Sequence, residues 1–201
     1  MTYFNSNSSR GAGVGIAMKL TSDIQVLDSD RDTADRMLIL KTMTGNRLLT
    51  LVAFYDTNEN KECHLNGIKT LHRKIGSNQG IIIGSDWNNF TDRILDQRGN
   101  QGRPQCRTKA TKIHQDWHNE HKFMDIYRIN NPDGKELTYL KSEETNRTQK
   151  DKGSRLDKFL ISEDLCMKEM EFKHTQDYFY TEEFGMEGNS IVHGSLRMIF
   201  K

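Results

Sequence analysis

The sequence predicts an α/β fold, and two patterns carry that reading. Short runs rich in Ile, Val and Leu recur along the 201 residues, and helical stretches fall between some of them. The runs are Val14 to Met18, Met37 to Leu40, Leu48 to Phe54, Gly80 to Ile83, Leu137 to Leu140, Leu156 to Ile161 and Leu196 to Phe200; each reads as a strand. LLTLVAFY is apolar almost throughout, which suits a strand covered on both faces, and IIIG ends in a glycine, as buried strands often do before a functional turn. Both are expected at the centre of a sheet. Lys61 to Gly76 and Lys109 to Phe123 read as helices. Ile113, Trp117 and Met124 recur near helical spacing, so the second is expected to lay an apolar stripe on a sheet.

The totals describe one soluble domain, residues 1–201, with 34% hydrophobic residues and Lys+Arg 29 against Asp+Glu 28. A formal charge of +1 creates no global basic field, so a nucleic-acid contact must come from a local cluster of Lys and Arg. Cys63, Cys106 and Cys166 are widely spaced and form no CxxC pattern, which suggests neither a disulfide framework nor a zinc knuckle and fits a reducing compartment. No apolar stretch approaches about 20 residues, and the N-terminus has no basic-then-apolar leader. The expectation is an intracellular protein, nuclear or cytoplasmic, neither secreted nor membrane-spanning. The sequons at Asn7, Asn89 and Asn146 are then unglycosylated, and Lys141 to Lys152 is a charged surface loop.

Three segments concentrate chemistry. IIIGSDWN puts Asp86 and Asn88 two residues apart after a buried strand, where i and i+2 project to one side and could hold a water, phosphate or metal; the same residues also serve an ordinary turn. LVAFYDTN brings Tyr55 and Asn58 out at the end of the preceding central strand, as hydrogen-bond donors for a phosphate oxygen. GSRLDKFLIS carries Asp157, and His193 follows near the C-terminus, an acid and an imidazole that it could orient; an Arg155–Asp157 surface ion pair is the plainer alternative. His114, His118 and His121 are expected on a solvated helix face, because no third ligand with suitable spacing is evident. Gly11, Gly13 and Gly15 are expected at a strand entry.

Taken in order, Tyr and Asn after a strand, G-S-D-W-N, D-I-Y-R, T-Y, S-R-L-D and a final His resemble the endonuclease/exonuclease/phosphatase superfamily. The resemblance is closest to the endonuclease domains of LINE-type, non-LTR retrotransposons, and it runs from about Arg10 to the end of the chain. It implies a four-layered sandwich of two mixed β-sheets flanked by helices, and a phosphodiesterase that cleaves DNA with Mg²⁺ or Mn²⁺. It also implies roles. Tyr55 and Asn58 touch the scissile phosphate, Asp86 and Asn88 position or deprotonate the attacking water and hold metal, Asp157 orients the histidine, and His193 supports the phosphate's charge. Arg128, Thr138 and Tyr139 match positions that shape the floor, and Ser154 and Arg155 match residues near the DNA path, with a structural role for Arg155 weighed ahead of a contacting one.

The likeness has gaps. Val192 stands where the family has an aspartate that helps hold the metal, and valine offers no oxygen. The family's first strands, with their principal metal-binding Glu, have no counterpart, since only nine residues precede Arg10. Ser85 replaces a Gly, Asp56 and Thr57 stand where a Pro is usual, and Lys158 replaces an aromatic residue. The expectation is therefore an endonuclease domain lacking its first strand or strands, with impaired metal binding, weak or no activity, and self-association through an exposed sheet edge. The alternatives are a non-catalytic binding module on the same fold and a phosphatase for small phosphoesters.

Overall fold

The computed structural model describes residues 1–7, 12–19, 23–57, 61–76, 80–98, 108–141, 153–166, 173–178 and 191–199, the last two segments as backbone. Asn58, Met167, Met170, Gly11 and nearly all of the charged loop lie outside the described residues.

In chain order the strands are β1 (Thr2–Asn7), β2 (Ala12–Ala17), β3 (Ile24–Arg31), β4 (Met37–Thr44), β5 (Arg47–Tyr55), β6 (Ile81–Asp86), β7 (Gln97–Arg98), β8 (Phe123–Asp125), β9 (Tyr139–Lys141), β10 (Gly153–Ser154), β11 (Asp157–Ser162), β12 (Lys173–Tyr178) and β13 (Ile191–Ile199). The helices are α1 (Lys61–Ile75), α2 (Thr108–Glu120), α3 (Ile126–Asn130) and α4 (Glu163–Cys166). Six strands form a sheet ordered β3-β4-β5-β6-β11-β8, five form a second ordered β12-β13-β9-β10-β7, and β1 and β2 form a hairpin. The six-stranded sheet is mixed, because β5 and β6 run parallel across the α1 crossover while its other pairs are antiparallel. The five-stranded sheet is antiparallel in every described pairing, where the sequence reading expected a second mixed sheet.

The two apolar runs expected at the centre, β5 and β6, do lie there. Alternation along them sends residues to opposite faces. Met37, Ile39, Val52, Phe54, Ile81 and Ile83 face α1 and α2, whose Ile68, Leu71, Ile75 and Trp117 cover them. Leu38, Leu40, Leu51, Ala53 and Ile82 face the other way, against Tyr3, Val14, Ile16 and Met18 from the hairpin and against Ile126 and Leu165. Helix α2 stops at Glu120, so Met124 belongs to β8 and packs on the hairpin side, outside the stripe expected from its spacing with Ile113 and Trp117.

Strand β1 escapes apolar-run reasoning because TYFNSN is polar. It is held by Asn5, whose buried amide donates to the Met37 carbonyl at 2.9 Å and to Asp32 Oδ1 at 2.9 Å. Strand β3 is a sheet edge, and Asp28, Asp30 and Arg31 together with a bulge between Val26 and Asp28 guard it against pairing with another chain.

Gly80 precedes β6 at φ +65°, and a Cβ there would lie 2.7 Å from the Leu48 carbonyl oxygen. Gly80→Ala is expected to cost about 1–3 kcal/mol, read as a lower urea midpoint with unchanged m-value.

Candidate functional site

The sheet register brings three of the expected residues into one row. Tyr55 ends β5 and pairs with Asp86 at the end of β6, and Asp86 pairs with Asp157 at the start of β11. Alternation puts all three on the face opposite α1 and α2. They continue the rows of Ala53, Ile82 and Phe159, which pack on that side. Tyr55 is 38% exposed.

Asp157 is tightly enclosed. Its backbone N–H and that of Leu156 both donate to Thr138 Oγ1 at 2.9 Å, which ties β11 to the start of the second sheet. Burial, then the neighbouring charge of Asp86, pushes the Asp157 carboxyl up to about 7. Its Oδ2 is buried without a hydrogen-bond partner among the described residues. Asp86 and Asp157 thus stand side by side at the strand ends.

Asn88 does not share a strand face with Asp86. The strand ends at Asp86, and Asn88 sits at φ 47°, turned back so that its N–H donates to Asp86 Oδ1 at 2.8 Å. Its side-chain nitrogen donates to the Asp56 carbonyl at 2.6 Å. An Asx turn thus replaces the extended i, i+2 geometry, a preference of Asp and Asn that outweighs continuation of the strand.

The remaining expected residues fall differently. Strand β13 pairs with β9 so that His193 stands opposite Tyr139 and Val192 opposite Leu140. Their side chains, like Asn58, lie outside the described residues. Arg155, expected near the DNA path, is 2% exposed. Its Nε donates to Asp96 Oδ1 at 2.9 Å and its Nη2 to Asp125 Oδ2 at 2.6 Å, with the guanidinium 5.0 Å from the Tyr127 ring centre. Such a guanidinium is committed to the interior. It forms no surface pair with Asp157. Burial alone would raise the Asp96 carboxyl, but Arg155 and Lys158 outweigh it and hold it well below the usual range. Arg128 completes the group through Asp96 and the Gly134 carbonyl. Lys158 is also buried, donating to the Asn89 carbonyl at 3.2 Å, and burial lowers it to about 8.

On the helix face of the same sheet lies a cluster that the sequence reading missed. Asp56 follows Tyr55 and therefore points to the other side, where His64 of α1 and His114 of α2 meet it. His64 Nδ1 lies 2.8 Å and His114 Nε2 2.9 Å from one oxygen, Asp56 Oδ2. His114 is 1% exposed, so the solvated helix face expected for it is corrected. The third partner was unrecognisable in sequence, being 58 residues away. His118 adds a buried, unpartnered Nε2, and burial drops it to about 3. His121 stacks on His72, with ring centres 4.3 Å apart. Among the described residues, Asp56, His64 and His114 form a group able to hold a metal ion.

No family model and no curated protein matches the sequence. Solved structures do. The endonuclease domain of TRAS1, a telomere-specific non-LTR retrotransposon, superposes with a TM-score of 0.56 at 15% identity, over 96% of this chain and 79% of that one. The chain shares its fold with that domain. The 3′ phosphatase NExo from Neisseria, bound to product DNA hairpin, matches with a TM-score of 0.55 at 12% identity, over 87% of this chain and 70% of that one. The AP endonuclease LMAP from Leishmania major matches with a TM-score of 0.50 at 15% identity, over 81% of this chain and 55% of that one. No described helix is long and apolar enough to cross a membrane.

Proposed function

We propose that this chain is a metal-dependent phosphodiesterase domain of retroelement type, acting inside the cell on DNA, with activity weakened by Val192. The observation that carries the reading is the row Tyr55, Asp86, Asp157 on three adjacent strands at one edge of a superfamily-type sheet. In this reading the two sheets are the inner layers of a four-layered sandwich.

The donor set fits a hard divalent cation, since carboxylate and amide oxygens are what magnesium or manganese takes. Asp86 and the side-chain oxygen of Asn88 would hold it. When bound, the ion polarises the phosphate oxygens. The chain's own residues supply the rest. In this reading Asp86 accepts a proton from the attacking water and Tyr55 hydrogen-bonds the phosphate, while Asn58, Asp157 and His193 take the roles that the resemblance implies: phosphate contact, orientation of the histidine and support of the phosphate's charge. Asp157 Oδ2 has no hydrogen-bond partner among the described residues.

A non-catalytic DNA-binding module is the second reading, favoured by Val192. Nicking of supercoiled plasmid and a gel shift, each with His193→Ala, separate the two. The proposal expects slow nicking that requires magnesium or manganese, abolished by His193→Ala with weakened DNA binding. DNA binding indifferent to His193→Ala, with no metal-dependent nicking in the parent chain, would establish the module instead.

A further inference from the structure

The cluster on the helix face has a different chemistry from the carboxylate row. We propose that Asp56, His64 and His114 bind a borderline transition-metal ion of the zinc type, at a site that pins α1 and α2 to the end of β5 independently of the phosphodiesterase reading. Two imidazoles and a carboxylate are a donor set that suits zinc, cobalt or nickel and is poor for magnesium. The three donor atoms lie within 4.8 Å of one another. Ligands around a tetrahedral zinc, with bonds of about 2 Å, sit roughly 3.3 Å apart, so the hydrogen-bonded separations need to open by only about half an ångström.

The surroundings fit the metal-bound state as well as the metal-free one. Asp56 Oδ1 already accepts from the Thr57 N–H at 2.9 Å, which orients the carboxylate and leaves Oδ2 for an ion. In the metal-free arrangement, carboxylate Oδ2 accepts one N–H from each ring. His114 Nδ1, facing Asn89 Nδ2 at 3.2 Å, then carries the lone pair. Ligation needs that lone pair on Nε2 and the proton on Nδ1. Asn89 accommodates the exchange by a half-turn of its amide, which would present Oδ1 to His114 Nδ1–H and its NH₂ to Thr111 Oγ1. That hydroxyl now donates to Asn89 Oδ1 at 2.9 Å, and a hydroxyl serves as donor or acceptor. The fully buried carboxylate and two buried rings, drawn from three separate elements, thus have a ready-made outer partner for one ligand.

The test uses the full chain, freed of metal with chelator, titrated with Co²⁺ and with Zn²⁺ against a chromophoric competitor. Expected are one equivalent bound, visible absorption bands of tetrahedral cobalt, and a raised Tm. His64→Gln and His114→Gln should abolish the bands, Asn89→Ala should weaken binding about tenfold, and His121→Gln, just past the end of α2, should leave it unchanged. Failure of the parent chain to bind stoichiometrically, or bands surviving in both glutamine variants, overturns the site. Should those variants fail to fold, ring-nitrogen NMR of the parent chain decides. Zinc must shift His64 Nδ1 and His114 Nε2, and unmoved resonances refute the assignment. Plasmid nicking is not a readout here, so loss of this site and loss of the nuclease reading are distinguishable.

Discussion

Asp96→Ala is expected to remove about 3–5 kcal/mol of stability, a large share of the roughly 5–15 kcal/mol of a typical domain. The reason is enclosure. Asp96 is 0% exposed, and its Oδ2 accepts from the Thr91 and Asp92 N–H groups at 3.0 and 2.9 Å while Oδ1 takes Arg155 and Arg128. Removing the acid leaves the buried Arg155 with Asp125 alone and strips the 91–96 turn of its acceptor. The pH dependence has a defined sign. A carboxyl held below its ordinary 3.8 stabilises the fold above that value, and the contribution is lost as pH falls below it. Urea melts between pH 3 and 7 should therefore show the parent chain losing stability toward acid and Asp96→Ala losing much less. Parallel curves would mean that the ion cluster contributes nothing net.

Asp86→Asn is expected to act in two opposite directions. Activity should fall by about 10²–10⁴-fold, the usual loss when a positioned proton acceptor is removed. The metal-free fold should become more stable above neutrality. Asp157 is raised to about 7 by burial and by Asp86, so its protonated form stabilises the fold below 3.8 and that stability is lost as pH rises through about 7. Without the charge at position 86, Asp157 ionises at lower cost, and the gain over the parent chain should be present at pH 8 and absent at pH 4. A variant no more stable than its parent at pH 8 would show that the two carboxylates do not interact. Stability traded for a charged row is typical of a site built to act on something.

The comparison of row and cluster shows what kind of information a sequence carries. Tyr55, Asp86 and Asp157 were legible because each ends or begins an apolar run, and strand ends are visible in the pattern of Ile, Val and Leu. Their convergence followed from motif order. Asn88 was legible as a residue but not as a conformation, because a local Asx turn competes with the strand and wins. Arg155 was misread in part because charge in a sequence suggests surface, whereas Asp96 and Asp125 make its burial tolerable. Asp96 itself lies in a polar segment without periodicity, and nothing local distinguishes it from a solvated acid.

By itself, the sequence determined the α/β class, the two central strands, the α1 helix and the residues at the strand ends, since these depend on period and on short-range spacing. Only the tertiary structure decided the antiparallel second sheet, the hairpin over the hydrophobic face, the Asp96 ion cluster and the meeting of Asp56, His64 and His114. Each of these depends on at least one partner about thirty residues away or more. Their cost of burial is offset only by one another, so no one of them announces its role until the chain has closed around the others.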